Sequence, residues 1–236
     1  MYSDVFCRVY NEFGWNYYPE AFGGTLLSWL ESQGIHPKNA LDLGCGTGVL
    51  CRIMQDGGIR SRGMDLSSGM IAIAREANPD IPFDVANMLT YVPGERFDLI
   101  TCTGDAINHI PDLPDVEKIF TNVFHWLNPG GYFIFDLLDE HEVSTAEPFD
   151  LEFDEHITAQ FQITRPDWNK VHLQTQVFED GVHTFTEDIF ETVHDRCAIL
   201  EMLQRQGFEL CKCAHRLDDG DGPEAATWFV ILRRPL

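Results

Sequence analysis

The sequence is poor in positive charge. Its 236 residues include 16 Lys and Arg against 38 Asp and Glu, which gives a formal net charge of −22. A field of this sign repels polyanions, and nucleic-acid binders usually present clustered Lys and Arg to the phosphates. We therefore expect no nucleic acid among the partners. Solubility is the simpler reason for the excess acid, and it is the reason that we favour.

The sequence also lacks any apolar run that approaches the length of a membrane span, and neither a basic nor an apolar leader follows Met1. Its seven cysteines are an odd number, and several lie in apolar runs where a small hydrophobic residue would serve. These features predict a cytoplasmic protein with reduced cysteines and no membrane contact. A monomer and a homodimer both agree with them.

Three glycines at alternate positions, Gly44, Gly46 and Gly48, end the apolar run 40–43 and precede a helical pattern. Glycine is needed where φ is positive or where the backbone must approach a ligand closely. The start of a helix also presents unpaired N–H groups. The pattern is neither the Gly-x-Gly-x-x-Gly of dinucleotide folds nor a P-loop with its Lys. It therefore predicts a turn that holds a polar tail other than a phosphate.

Polar residues follow the next predicted strands. Asp65 comes 21 positions after Gly44, where a carboxylate can accept from both hydroxyls of a ribose. Ser67 or Ser68 can cap the following helix, which leaves Asp65 available for a ligand. After the third strand, the Asn87 carbonyl can accept from an exocyclic amine and Met88 can lie against a flat ring. S-adenosylmethionine has such a ribose, amine and non-phosphate tail.

The hydrophobic pattern predicts an α/β fold in which strands at 40–43, 59–64, 83–85, 97–102 and 132–136 alternate with helices. Two helices joined near 14–19 precede the first strand, and a turn at 128–131 precedes the fifth. The acidic segment 139–148 is predicted to be a loop, and strands 157–164, 171–178 and 182–189, with turns at 165–169 and 179–181, form an antiparallel meander. This meander is either a lid over the strand ends or an oligomer surface.

The remaining pattern predicts a helix at 196–206 capped by Asp195, and strands at 208–215 and 227–233. The acidic loop 218–222 between these strands lacks the ligand spacing of a calcium site, so we expect a solvated connection. The whole chain is expected to form a single domain. Its parts are 1–37 for the N-terminal helices, 38–137 for the cofactor-binding core, 138–190 for the inserted lid and 191–236 for the last helix and strands.

Residues 41–48, Leu-Asp-Leu-Gly-Cys-Gly-Thr-Gly, resemble motif I of the class I S-adenosylmethionine-dependent methyltransferases. Asp65, the pair Asn87-Met88 and the segments 97–100 and 127–131 follow at the expected places, so the resemblance covers about 38–137. It implies a Rossmann-like, doubly wound, mostly parallel sheet of seven strands whose last strand is antiparallel. The family usually has Asp at the adenine position, so Asn87 keeps an acceptor there but loses the charge.

The N-terminal tyrosines and the meander resemble a small-molecule subgroup that includes amine and sugar N-methyltransferases. No Asn-Pro-Pro-Tyr follows the fourth strand, which argues against methylation of nucleobase amines. The resemblance implies S-adenosylmethionine as cofactor and in-line transfer of its methyl group to a nitrogen or oxygen of a small molecule. A non-catalytic module that binds S-adenosylmethionine and a nucleotide-dependent dehydrogenase are the alternatives.

We expect the cofactor-binding residues to lie at the strand ends and the N-terminal link: Tyr10, Tyr18, Asp42, Gly44, Cys45, Gly46, Gly48, Asp65, Leu66, Met70, Asn87, Met88 and Cys102. Tyr10 and Tyr18 could close over the ligand with a hydroxyl free to bond it. If a general base is used, His109 is the first candidate, with Asp105 and His141 behind it. The sequence has no His-Glu-x-x-His and no Cys-x-x-Cys, so no metal is expected.

Overall fold

The structure is a computed structural model that describes residues 2–3, 6–7, 10–11, 14–139, 146–152, 156–217 and 227–236. Within these ranges the helices are α1 Tyr17–Ser32, α2 Val49–Asp56, α3 Ser68–Ala77, α4 Leu113–Trp126 and α5 Arg196–Arg205. The strands in chain order are β1 Asn39–Leu43, β2 Arg60–Asp65, β3 Phe83–Val85, β4 Phe97–Cys102, β5 Leu127–Leu138, β6 Ala146–Glu152, β7 Ile157–Asp167, β8 Lys170–Glu179, β9 Val182–Thr192, β10 Glu209–Ala214 and β11 Thr227–Arg233. No helix in the described ranges is long and apolar enough to cross a membrane.

The larger sheet has seven strands in the order β10-β11-β5-β4-β1-β2-β3. Strand β11 runs antiparallel to both of its neighbours, β5 and β10, whereas β1 is parallel to β2 and to β4. The predicted fold class, a mostly parallel seven-stranded sheet with an antiparallel last strand, is therefore confirmed.

Strand β1 lies where the order of the sheet reverses. It has β4 on one side and β2 on the other, and the sheet grows outward in both directions from this pair. All five residues of β1 are buried, which explains the apolar run before the glycines. Open α/β sheets bind ligands in the crevice beyond the carboxyl ends of strands at such a reversal. The topology thus brings the segments after β1, β2 and β4 to one place.

The helix starts agree with the predicted caps. Ser67 accepts a hydrogen bond from the Met70 N–H at the start of α3, and Asp195 accepts one from the Ala198 N–H at the start of α5. Each cap satisfies one N–H that has no partner within its helix. Since Ser67 caps α3, the carboxylate of Asp65 is left to make other contacts.

The second sheet is antiparallel with the order β6-β7-β8-β9. The prediction of three strands was incomplete, because 139–148 was assigned to a loop whereas β6 begins at Ala146. The prediction of a turn over 165–169 was also too long, since β7 continues to Asp167 and the turn lies at Trp168 and Asn169. Strand β6 is an edge strand, and edge strands tolerate acidic residues and proline. Because loops have the same composition, the sequence pattern did not indicate a strand here.

The predicted turn at 128–131 is part of β5, which begins at Leu127 directly after α4. The Gly130 N–H donates to the Arg234 carbonyl at 2.8 Å, and the Arg234 N–H donates to the Gly131 carbonyl at 2.8 Å. Gly130 has a φ of 81°. The glycine signal thus marks an irregular strand start whose backbone groups pair with the C-terminal residues.

At the N-terminus, Phe6 and Cys7 are helical and buried, whereas the described residues 2–3 and 10–11 are not helical. The other residues before Gly14 lie outside the described residues. The Ser3 hydroxyl donates to the Glu187 carboxylate of β9 at 2.6 Å. The N-terminal residues are thereby tied to the second sheet. The acidic loop 218–222 lies outside the described residues.

Candidate active site

A cavity of about 710 Å³ lies beyond the carboxyl ends of the central strands. Residues that follow β1, β2, β3 and β4 line one side of it, and N-terminal aromatic residues together with β9 line the other. Ligand pockets usually have volumes of roughly 300–1,000 Å³. The cavity is thus large enough for a nucleoside-sized cofactor and a small second molecule.

The glycine turn after β1 contributes two of its three glycines to the cavity wall, Gly44 and Gly46. At Gly46, where φ is 51°, an added Cβ would meet nothing within 4 Å. At Gly44, where φ is 71°, it would lie 3.1 Å from Ala106 Cβ and 3.3 Å from Met88 Cε. The turn therefore exposes backbone to the cavity.

Gly48 is not among the residues that line the cavity, although it was predicted to bind the cofactor. It precedes α2 with a φ of 80°, and a Cβ there would lie 2.7 Å from Phe83 Cζ and 3.1 Å from Ala74 Cβ. The space that Gly48 leaves free is thus used for packing α2 against β3 and α3. Cys102, another predicted cofactor residue, is fully buried and does not line the cavity either.

Two carboxylates stand at the ends of β1 and β2. Asp42 is buried and accepts from the Thr101 hydroxyl at 2.7 Å, and burial raises its pKa to about 7. Asp65 accepts from the Gly46 N–H at 3.0 Å and from the Ser67 N–H at 2.8 Å, one on each carboxylate oxygen. Burial raises the pKa of Asp65, and these backbone bonds oppose that rise. Since each oxygen has a second lone pair, Asp65 can still accept two donors from a ligand.

The other predicted cofactor residues of the core also line the cavity: Cys45, Leu66, Met70, Asn87 and Met88. The side-chain carbonyl of Asn87 already accepts from the Leu89 N–H at 2.8 Å. This bond fixes the loop after β3 and uses one of the two lone pairs of that oxygen. Asn87 can therefore offer one further acceptor site to a ligand.

The two predicted tyrosines both line the cavity, but their hydroxyls differ. Tyr10 packs edge-on against Trp15 with ring centroids 5.1 Å apart, and burial raises its pKa to about 12. The Tyr18 hydroxyl donates to the buried Asp136 carboxylate, so the prediction that it is free for a ligand was wrong. Asp136 also accepts from the Gly104 N–H at 2.9 Å, and such a buried charge needs several donors.

The two first candidates for a general base, His109 and Asp105, lie on the same cavity wall. His109 Nε2 is 3.4 Å from the Tyr2 hydroxyl and 3.8 Å from Glu191 Oε1. Burial lowers the pKa of His109, which favours its neutral form. His141 lies outside the described residues.

Asp105 has a strained backbone and an unsatisfied side chain. Its φ is 59°, a value that non-glycine residues rarely adopt, and within the described part of the chain its buried Oδ1 has no hydrogen-bond partner. Burial raises the pKa of Asp105, and Asp136 and Glu191 raise it further. Strain and unpaired polar atoms of this kind concentrate at ligand-binding positions.

Sequence reasoning missed the residues of β9 that line the cavity, above all Glu187 and Glu191, and also Tyr2 and Trp15 of the N-terminal segment. A signal was present, because Glu187 and Glu191 stand four positions apart in a strand and must share one face. The sequence did not reveal which face of that strand is turned to the cavity.

Residues 40–131 match a known protein family that is described as a methyltransferase domain. The match covers 92 of the 236 residues of the chain. The matched range contains the glycine turn, Asp65 and the loops after β3 and β4. Together with the fold, this match confirms the predicted resemblance to class I S-adenosylmethionine-dependent methyltransferases.

Curated proteins with similar sequences match about half of the chain. One is a dTDP-3-amino-3,6-dideoxy-alpha-D-glucopyranose N,N-dimethyltransferase of Streptomyces fradiae, 27% identical over 129 residues, which are 55% of this chain and 50% of that protein. Another is a ubiquinone biosynthesis O-methyltransferase of Thiobacillus denitrificans, 29% identical over 126 residues, 50% of this chain and 52% of that protein. The chain thus spans about half the length of these relatives.

A solved structure shares nearly the whole fold. It is an S-adenosylmethionine-dependent methyltransferase from Clostridium acetobutylicum ATCC 824, with a TM-score of 0.80, 20% sequence identity and 91% of each chain covered. At this identity the likeness shows the fold. Because the match covers 91% of this chain, at least one solved structure shares both the seven-stranded sheet and most of the second sheet.

Proposed function

We propose that the protein is an S-adenosylmethionine-dependent methyltransferase that acts on a nitrogen or oxygen atom of a small molecule. The observation that carries this proposal is the pair formed by Asp65 and the glycine turn at the sheet reversal. Asp65 offers two unused acceptor lone pairs, and Gly46 leaves open space beside it. A ribose diol and a zwitterionic amino-acid tail match this arrangement.

In this proposal Asp65 accepts from the ribose hydroxyls, and Gly44 and Gly46 face the amino-acid end of the cofactor. Asn87 and Met88 lie at the adenine end. The cofactor supplies an electrophilic methyl group on a sulfonium, and the protein need only orient the acceptor and exclude water. Tyr10 and Trp15 close the cavity on the N-terminal side and serve the second task.

His109 is the proposed base for an oxygen acceptor, whose hydroxyl must lose a proton. Because burial lowers its pKa, the imidazole is neutral near pH 7 and can take a proton. Its Nε2 lies within reach of the cavity between Tyr2 and Glu191. The two curated relatives are named as an N,N-dimethyltransferase and an O-methyltransferase, so the proposal keeps both acceptor atoms.

The net charge bears on the class of acceptor, and the cysteines bear on the compartment. A net charge of −22 supports a small-molecule acceptor over a nucleic acid. The odd number of cysteines, several of them in apolar runs, supports a reducing, cytoplasmic setting. A monomer and a homodimer both remain compatible with the proposal.

Transfer of a labelled methyl group tests the proposal. The purified protein is incubated with methyl-labelled S-adenosylmethionine and pooled small amines, alcohols and phenols, and label in the pool is measured. We expect label transfer that S-adenosylhomocysteine inhibits. Binding of S-adenosylmethionine without turnover over the pool would favour a non-catalytic module. Tight binding of NAD without binding of S-adenosylmethionine would favour a dehydrogenase.

A further inference from the structure

Three acidic residues of β9 line the cavity: Glu187, Asp188 and Glu191. Successive side chains of a strand point to opposite faces, and Glu187, Ile189 and Glu191 share the inner face of β9 while Asp188 and Phe190 are exposed. Glu187 is occupied by Ser3, whose N–H and hydroxyl both donate to it. Glu191 has its Oε1 3.8 Å from His109 Nε2 and its side chain 16% exposed. Asp188 lies on the exposed face of β9, where its Oδ1 contacts His172 and Gln174. Glu191 is thus the β9 carboxyl group on the inner face that a ligand can reach.

Asp105 adds a second carboxyl group to the same region. Its Oδ1 has no hydrogen-bond partner among the described residues. Burial raises the pKa of Glu191 to about 7, with a further contribution from Asp136. The pKa of Asp105 is raised by burial first and then by Asp136 and Glu191. A cation bound beside them would stabilise the charged form of both carboxyl groups.

The cavity offers no cationic side chain to an anionic acceptor. Among the described residues that line it there is neither Lys nor Arg. Phosphate groups are usually held by such side chains or by helix N-termini, and the glycine turn lies on the cofactor side. The rings of Tyr2, Tyr10 and Trp15 line the cavity instead, and aromatic faces attract cations.

We propose that the methyl acceptor is a small amine without phosphate groups, which binds as its ammonium ion between Glu191 and Asp105. This inference rests on the proposed methyl transfer. The ammonium gives one proton to the Glu191 carboxylate, which later releases it to solvent. The free nitrogen lone pair then forms the bond to the methyl carbon, and the electron pair of the broken carbon–sulfur bond stays on sulfur. Glu191 therefore both selects the acceptor and takes its proton.

Calorimetric binding of matched probes at saturating S-adenosylhomocysteine tests the acceptor class. Each set contains an amine, its alcohol and its phosphate ester on the same frame: cyclohexylamine, cyclohexanol and cyclohexyl phosphate, then phenethylamine, 2-phenylethanol and its phosphate. We expect each amine to bind at least about tenfold more tightly than its alcohol, and the phosphate to bind no better than the alcohol. Equal affinities, a preference for alcohol or phosphate, or no binding of either amine would overturn the proposal.

A matched pair of variants locates the effect. Glu191→Gln should weaken amine binding at least about tenfold and leave alcohol binding and S-adenosylhomocysteine binding unchanged. Glu179→Gln makes the same change at an exposed end of β8, outside the cavity, and should alter none of these affinities. Unchanged amine affinity in Glu191→Gln would contradict the role of Glu191. If the protein binds S-adenosylmethionine and methylates alcohols but not amines, this inference fails and the proposed function stands. If the protein does not bind S-adenosylmethionine, the proposed function itself fails.

Discussion

Replacement of Asp65 by alanine should weaken cofactor binding by about 1–3 kcal/mol, which is about 5- to 150-fold in Kd. The carboxylate already accepts from the Gly46 and Ser67 N–H groups at 3.0 and 2.8 Å, so its remaining lone pairs are the ones offered to a ribose. Asp65→Asn should also weaken binding, because its amide NH2 would face the Gly46 or the Ser67 N–H in place of an acceptor oxygen. Isothermal titration with S-adenosylhomocysteine measures both losses.

A deoxyribose analogue separates the ribose contact from damage to the turn. The wild-type protein should bind 2′-deoxy-S-adenosylhomocysteine about fivefold or more weakly than the parent compound, because one hydroxyl bond is missing. Asp65→Ala should bind both compounds equally, since the partner of that hydroxyl is gone. Asp98→Ala is the matched control, because Asp98 also accepts a backbone N–H, from Lys38 at 2.8 Å, but does not line the cavity. If Asp65→Ala still binds the deoxy compound as much more weakly than the parent compound as the wild type does, the ribose assignment is refuted.

Gly48→Ala should lower the free energy of unfolding by at least about 3 kcal/mol in urea titrations, because φ is 80° and the new Cβ would lie 2.7 Å from Phe83 Cζ. Gly58→Ala, with a φ of 85° and no atom within 4 Å of its Cβ, should cost only about 1 kcal/mol, and equal losses would contradict the packing role of Gly48. The Asp42 pKa is raised from 3.8 to about 7, so its contribution to stability falls as pH rises from about 4 to 7. Relative to Asp42→Asn, the wild type should therefore lose up to about 4 kcal/mol of stability between these pH values, and parallel pH profiles would count against a buried, protonated Asp42.

The core of the fold was predictable because its signals are local. A fully buried β1 leaves an apolar run, and glycines with positive φ leave a fixed spacing. Strands β3 and β4 begin and end where the pattern predicts, at Phe83–Val85 and Phe97–Cys102. Strand β6 was missed because an acidic edge strand has the composition of a loop.

The site was predictable only on its cofactor side. Asp65 and Gly46 are close in sequence to the strand ends that position them. Glu191 belongs to the second sheet, which is far in sequence from the core strands around the cavity. The hydroxyl of Tyr18 was assigned to a ligand because nothing local shows that Asp136, 118 positions away, takes it. Contacts of this range depend on how the second sheet and the N-terminal residues pack, which periodicity does not specify.

A crystal structure of the full chain with S-adenosylhomocysteine tests the central claim most directly. The account predicts that the ribose hydroxyls lie within hydrogen-bond distance of the Asp65 carboxylate and that the amino-acid end lies against Gly44 and Gly46. The sulfur should face the part of the cavity that holds His109 and Glu191. A ligand bound outside this cavity, or bound with its ribose away from Asp65, would contradict the account.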